Sequence, residues 1–184
     1  VHVPLSSIAQ METKLLMLAP NNIFSPANGK PITSPTQDIT LGAYYLTFEP
    51  QNKSLAKLYK DYFEVLYALH TGHIKIHDAV RIPNPNYQKD TIWGDKTAKF
   101  LLTTAGRCIF NELWDPLLGF FNKVAKKKEL GVLISDSYKI VGHEKTVKLL
   151  DSLKDLGYEY ATIAGFSISI SDLVIPDKKD MLIE

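Results

Sequence analysis

Between Glu129 and Gly157 the apolar residues recur at helical spacing on both sides of a single glycine, and no other feature constrains the fold as much. Leu130, Leu133, Ile134, Tyr138 and Val141 form one stripe, and Val147, Leu150 and Leu153 form a second beyond Gly142-His143. Residues three and four apart share one helix face, so each stripe is the buried side of a helix. A glycine takes the left-handed conformation that closes a helix, which predicts ends at Gly142 and Gly157. The result is an αα-hairpin near the C-terminus, and its two apolar stripes need the rest of the chain to cover them.

That cover is predicted from several shorter elements. Ser7, with Gln10 three residues on, reads as a capping box, and Ile8, Met11, Leu15 and Leu18 carry the helix to about Leu18. Ala19 to Pro35 holds four prolines and a glycine, a density that fits only a loop. In Ser34-Pro35-Thr36-Gln37 the serine suits an N-cap, the proline the first helical position, and the glutamine the N3 position that reaches back to the cap. Asp38 then favours the positive end of the dipole, Ile39, Ala43 and Leu46 give an apolar face, and the helix ends near Thr47.

Ser54 is expected to cap a helix through Leu55, Leu58, Tyr59, Tyr62, Leu66 and Leu69, stopping at Gly72. Ile74, Ile76, Val80 and Ile82 keep a two-residue period, spoiled by Asp78, and predict a strand that pairs with Phe100 to Thr104. The polar stretch between them, opening with Pro83-Asn84-Pro85-Asn86, reads as a surface insertion. Gly106 to Trp114 is a short helix stopped by Asp115-Pro116. Phe166, Ile168 and Ile170 alternate as a strand would, and a further helix is expected near Pro176. The fold class is therefore α+β: a helix-rich mixed domain with short strands at the N-terminus, in the middle and near the C-terminus.

Composition narrows the function. With 21 Lys plus Arg against 20 Asp plus Glu the net charge is +1, so no global basic field marks a nucleic-acid binder. The single cysteine, Cys108, excludes an internal disulfide framework and fits a reducing, cytoplasmic setting as a core residue. No apolar run approaches the roughly 20 residues of a membrane span, and no secretion signal is present. The opening Val1-His2-Val3-Pro4-Leu5 has no initiator Met and reads as the end of a strand, which suggests a piece of a longer protein. His70, His73 and His77 invite a zinc reading, but strand spacing holds the last two about 13 Å apart, too far for one ion. Lys126-Lys127-Lys128 reads as a solvated helix start.

Several segments, taken as words, resemble one family. They are His2-Val3-Pro4-Leu5-Ser6, Ala9-Gln10, Leu16-Met17-Leu18 with Asn21-Asn22-Ile23, and Ser25-Pro26-Ala27-Asn28-Gly29-Lys30-Pro31-Ile32. Pro35-Thr36-Gln37-Asp38, Leu41-Gly42 and Tyr44-Tyr45-Leu46-Thr47 follow at matching spacing, then Thr103-Thr104-Ala105-Gly106-Arg107 with Ile109-Phe110-Asn111-Glu112. Leu153 to Ala161, Gly165-Phe166-Ser167-Ile168 and Asp172-Leu173-Val174-Ile175-Pro176 complete a collinear series. The series resembles the largest catalytic subunit, beta-prime, of bacterial-type DNA-directed RNA polymerases. Phe48 to about Lys99 has no match beyond a helix and a strand. Where the family commonly reads Ser-Gly-x-Ser-Ile-Gly-Ile-Asp-Asp, Ser169 and Ser171 replace a glycine and an aspartate. Glu144 stands where some members carry a basic residue facing the omega subunit, which makes a phosphate-rich regulator site there doubtful.

The resemblance implies a nucleotidyltransferase making RNA from nucleoside triphosphates on a DNA template, with beta, alpha and omega subunits as partners, in the cytoplasm at the nucleoid. It implies Mg2+ held by three aspartates of a double-psi barrel loop that lies outside this sequence, so the segment itself is expected to be inert and to bind no metal. Residues 1–20 would be the end of the barrel and its following helix, 21–176 the pore domain lining the secondary channel, and 177–184 the start of the funnel. Gln37 and Asp38 match the family's pair near the incoming nucleotide and RNA 3′ end, and Asn28 would help shape the channel. All three also have structural readings, as cap, first-turn acid and turn former. Arg107 is open between a partner's carboxylate and its own domain. Two other classes compete: a helix-turn-helix nucleic-acid module built on the hairpin, and an independent protein-interaction module. The mixed lysines and acids of Glu144 to Leu156 weigh against the first.

Overall fold

The computed structural model describes residues 2–49, 56–174 and 179. The predicted Ser54 cap, Leu55, and the helix near Pro176 lie outside them. The α+β class holds, with helices dominating a small three-stranded sheet.

The hairpin forms as α5 (Lys127–Val141) and α6 (His143–Ala164), joined by Gly142 alone at φ +84°. Leu130, Leu133 and Ile134 of α5 and Leu153 of α6 are buried as their spacing predicts, while Leu149, outside the predicted stripe, is buried and Val147 and Leu150 are half-buried. Gly157 does not end α6; the helix runs on to Ala164 and closes at Gly165, φ +56°. An interior glycine costs a helix about 1 kcal/mol against alanine, and here it serves close approach. Helix α2 (Gln37–Leu46) lies against α6, and a Cβ added to Gly42 would fall 1.8 Å from the Gly157 carbonyl oxygen. Two glycines facing each other bring the backbones into contact. Around this crossing Ala43, Leu46, Phe110, Trp114, Leu118 and Phe121 fill the main core with the hairpin leucines.

The second core sits under the sheet. β1 (Lys57–Leu58) runs parallel to β2 (Ala79–Pro83), which pairs antiparallel with β3 (Phe100–Thr104) in the register Val80 to Thr103 and Ile82 to Leu101. Val80 and Ile82 point inward with Val65 and Ala68 of α3 (Tyr62–His70) and with Ala105 and Cys108 of α4 (Ala105–Glu112). The long helix expected from Ser54 is shorter than read: Lys57 and Leu58 belong to a strand, and Asp61 caps α3 by accepting from the Glu64 amide at 2.9 Å. β2 is likewise shorter. Asp78 accepts from the Lys75 amide at 2.8 Å, so the acid that broke the period marks a turn.

Most of the polar stretch 84–99 is exposed, as a surface insertion would be, but Asn84, Asn86, Thr91 and Trp93 are buried. Asn86 is buried, accepting from the Phe120 amide at 2.9 Å and donating to the Trp93 carbonyl at 3.1 Å. Asn84 donates to the Asp95 and Ala98 carbonyls, and Trp93 enters the main core. Asparagine satisfies backbone groups that no strand reaches, which lets an irregular loop pack inside.

The strands expected at the two ends are absent among the described residues. At the N-terminus, α1 (Ser7–Glu12) continues into a π-helical turn, Thr13–Met17, and its cap is Ser6, one residue before the predicted Ser7. At the C-terminus, Phe166 to Ser169 is irregular and leads into a 3-10 turn, Ile170–Asp172. Ser169 caps that turn, and the Asp172 carboxylate accepts from the Ser169 amide at 2.8 Å. Alternation alone makes no strand where no edge is at hand to pair with it.

Candidate functional site

The N-terminal tip of α2 carries the pair singled out in the sequence. Thr36 is extended, and Gln37 is the first helical residue, with φ +49°. The predicted capping box is therefore wrong: Gln37 is not at N3, no side chain caps the helix, and Thr36 stands at the N-cap. A left-handed φ costs a non-glycine residue roughly 1–2 kcal/mol, and Gln88 is the only other described non-glycine residue with positive φ. Asp38 follows in the first turn, where a carboxylate suits the unpaired amides. Both side chains are exposed, so neither is used up in the core.

Asn28 lies in the proline-rich loop, which closes on itself through the Phe24–Pro31 bridge and the Ser25 amide donating to the Lys30 carbonyl at 2.9 Å. Its Oδ1 accepts from the Lys30 amide at 3.0 Å, the geometry of a turn former. The structure joins Gln37 and Asp38 on one tip and leaves Asn28 in a separate turn.

The opposite end of α2 is held tightly. Its last carbonyls lack helical partners, and three neighbours approach them. His77 Nε2 donates to the Tyr45 carbonyl at 2.7 Å, and because a carbonyl only accepts, Nε2 carries the proton. Gly106 lets α4 close on Leu46, whose carbonyl oxygen would be 2.1 Å from an added Cβ. Arg107 Nε donates to the Thr47 carbonyl at 3.0 Å, and its Nη1 donates to Asn122 Oδ1 at 3.2 Å. Thr47 Oγ1 in turn donates to the Ala43 carbonyl and accepts from the Ala125 amide, both at 2.7 Å. Arg107 is 6% exposed, and burial lowers its pKa from the ordinary value. The guanidinium braces its own domain, at the negative end of the α2 dipole.

Burial pushes the Cys108 thiol up to about 12, which keeps it an unreactive core residue. Tyr62 donates to the Glu112 carboxylate, and burial first, then that bond, raises its pKa. His73 Nδ1 pairs with Thr71 Oγ1 at 2.8 Å while His77 turns to Tyr45. Among the described residues no three His, Cys, Asp or Glu side chains converge as a metal site would require. No described helix is long and apolar enough to cross a membrane. Sequence reasoning missed Gly42, Gly157 and His77. The available signal for the two glycines was their place inside stripes that continue past them, since an interior glycine marks close backbone approach.

The chain belongs to the family described as RNA polymerase Rpb1, domain 3, whose model matches residues 22–173. Its full length is similar to DNA-directed RNA polymerase subunit beta′ of Methylacidiphilum infernorum, with 53% identity over 188 residues. The same subunit of Opitutus terrae is 51% identical, and that of Aquifex aeolicus 41%, each again over 100% of this chain. The chain spans 14% of the length of the first two relatives and 11% of the third.

Proposed function

We propose that this chain works within a DNA-directed RNA polymerase as the part that braces the active site and lines the channel by which nucleoside triphosphates arrive. In this reading residues 1–20 end the catalytic barrel, 21–176 form the pore domain and 177–184 begin the funnel. The partners are the beta, alpha and omega subunits, the DNA template, RNA and triphosphates, and the complex works in the cytoplasm at the nucleoid. RNA synthesis is in-line attack of a ribose 3′-hydroxyl on a triphosphate, and closely spaced cations stabilise both the entering and the leaving oxygen. In this reading Mg2+ is held by the aspartate loop of the rest of the subunit and the segment alone is inactive; among the described residues no three His, Cys, Asp or Glu side chains converge on a metal site.

What this chain supplies is the α2 tip. Gln37 offers two donors and one acceptor, which suits ribose hydroxyls, and Asp38 suits a neighbouring basic group. Asn28 holds the loop that flanks the channel. The observation that carries the reading is that Gln37 keeps a left-handed backbone while its side chain stays free in solvent. Strain of this kind clusters at functional sites.

The helix-turn-helix alternative gains no support, since a single residue joins α5 to α6 and α6 is packed on α2. The test is Gln37→Ala in a polymerase reconstituted with the full-length subunit. Preference for ribo- over deoxyribonucleotides falls about tenfold if the amide reads the sugar, because one hydrogen bond to the 2′-hydroxyl is lost. A preference equal to wild type removes the substrate-side role and leaves only the scaffold.

A further inference from the structure

We infer that Gly157, midway along α6, is a positioning residue that sets where the Gln37–Asp38 tip stands. The inference rests on the substrate-side reading of that tip and adds the part of the fold that determines its reach.

Gly157 is glycine for space, since its backbone is that of an ordinary helical residue. A Cβ there would lie 2.7 Å from Ile39 Cγ2, 2.8 Å from Ile39 Cα and 2.9 Å from the Ile39 carbonyl oxygen. Two of those three atoms are backbone, so no rotamer change relieves the crowding. Non-bonded atoms rest at about 3.5–4.0 Å, so an alanine at 157 drives α2 away by about 1 Å. Ile39 is the residue after Asp38 and shares the first turn of α2 with Gln37.

The displacement cannot spread evenly along α2. His77 and Arg107 hold the carbonyls of Tyr45 and Thr47 by hydrogen bonds at the other end, and Gly106 lets α4 close on that of Leu46. A helix pinned at one end and pushed near the other pivots. At 1.5 Å per residue Ile39 stands about 10 Å from Leu46 and Gln37 about 13 Å, so the tip moves slightly more than the contact does. Gly42 packs on the same α6 backbone one turn nearer the pinned end, so it is displaced less than Ile39. Misplacement of about 1 Å in a group that orients a substrate can cost up to about a hundredfold in rate.

The experiment uses polymerase reconstituted with the full-length subunit and compares kcat/KM for a ribonucleotide with that for the matching deoxyribonucleotide. The ratio of the two does not depend on how much enzyme is folded. Gly157→Ala is expected to lower it about tenfold, and the Gly157→Ala/Gln37→Ala pair to lower it no further than Gln37→Ala alone. Val65→Ala, a cavity in the other core, is expected to lower stability and leave the ratio unchanged. Should the Gly157→Ala subunit fail to assemble, Ile39→Ala loosens the same contact from its other side, and a smaller fall is expected. A wild-type ratio for Gly157→Ala, or for Ile39→Ala where only that variant assembles, beside a reduced one for Gln37→Ala overturns the positioning role and spares the tip. A wild-type ratio for Gln37→Ala overturns both.

Discussion

The two ends of α2 are built on opposite terms. At its C-terminal end three consecutive carbonyls meet an imidazole, a glycine-thinned helix and a buried guanidinium. At its N-terminal end Thr36 provides no cap bond, Gln37 sits in a strained conformation, and two polar side chains face solvent. A missing side-chain cap is not in itself distinctive, since α5 and α6 also begin without one and exposed terminal amides are met by water. What sets the α2 tip apart is the left-handed backbone of Gln37, and in the proposed reading this is the end that meets substrate.

The comparison can be broken at the crossing itself. Gly42→Ala puts a Cβ 1.8 Å from the Gly157 carbonyl oxygen, and a loss of about 3 kcal/mol or more is expected in denaturant unfolding. A loss below about 1 kcal/mol would mean the helices are not in backbone contact. Arg107→Met keeps the apolar stem and removes the donors to Thr47 and Asn122, and a cost of about 2 kcal/mol follows from leaving the Thr47 carbonyl unpaired. If the unfolding midpoint does not move, the clamp is not holding the helix.

The free end should respond with the opposite sign. Gln37→Gly relieves the positive φ, and a gain of up to about 1 kcal/mol in stability is expected together with weaker substrate preference. A loss of stability would show that the glutamine side chain supports the fold. A thiol assay sharpens the contrast between open tip and closed core. With its thiol pushed up to about 12, Cys108 should stay unmodified in the native chain at pH 8 and react only on unfolding.

Elements with an unbroken period were legible in the sequence. The pairing of Val80 and Ile82 with β3 and the α5 stripe follow from spacing, because one face of each is buried and a slip would expose it, and the short α4 was legible from the Asp115-Pro116 stop beyond it. The features that decide the site were less legible. Gly157 reads as a stop until α2 is seen lying across it, since a glycine can end a helix or admit a neighbour. Gln37 fits a capping box in the sequence, and only the observed φ shows that the helix starts on that residue. Asn86 looks like a loop residue because no periodicity marks its partners, the nearby Trp93 and the distant Phe120. The termini misled for a different reason: Phe166, Ile168 and Ile170 alternate, yet Ile168 and Ile170 are left almost fully exposed with no strand beside them.

Whether the open end of α2 faces the growing RNA is tested most directly by a photo-crosslinker placed at position 37 in the reconstituted polymerase. Irradiation of a stalled complex should join that position to the RNA 3′ end or to the bound triphosphate, while the same group at the exposed Phe63 on α3 should give no such product. A crosslink from position 63 and none from 37 would contradict the account.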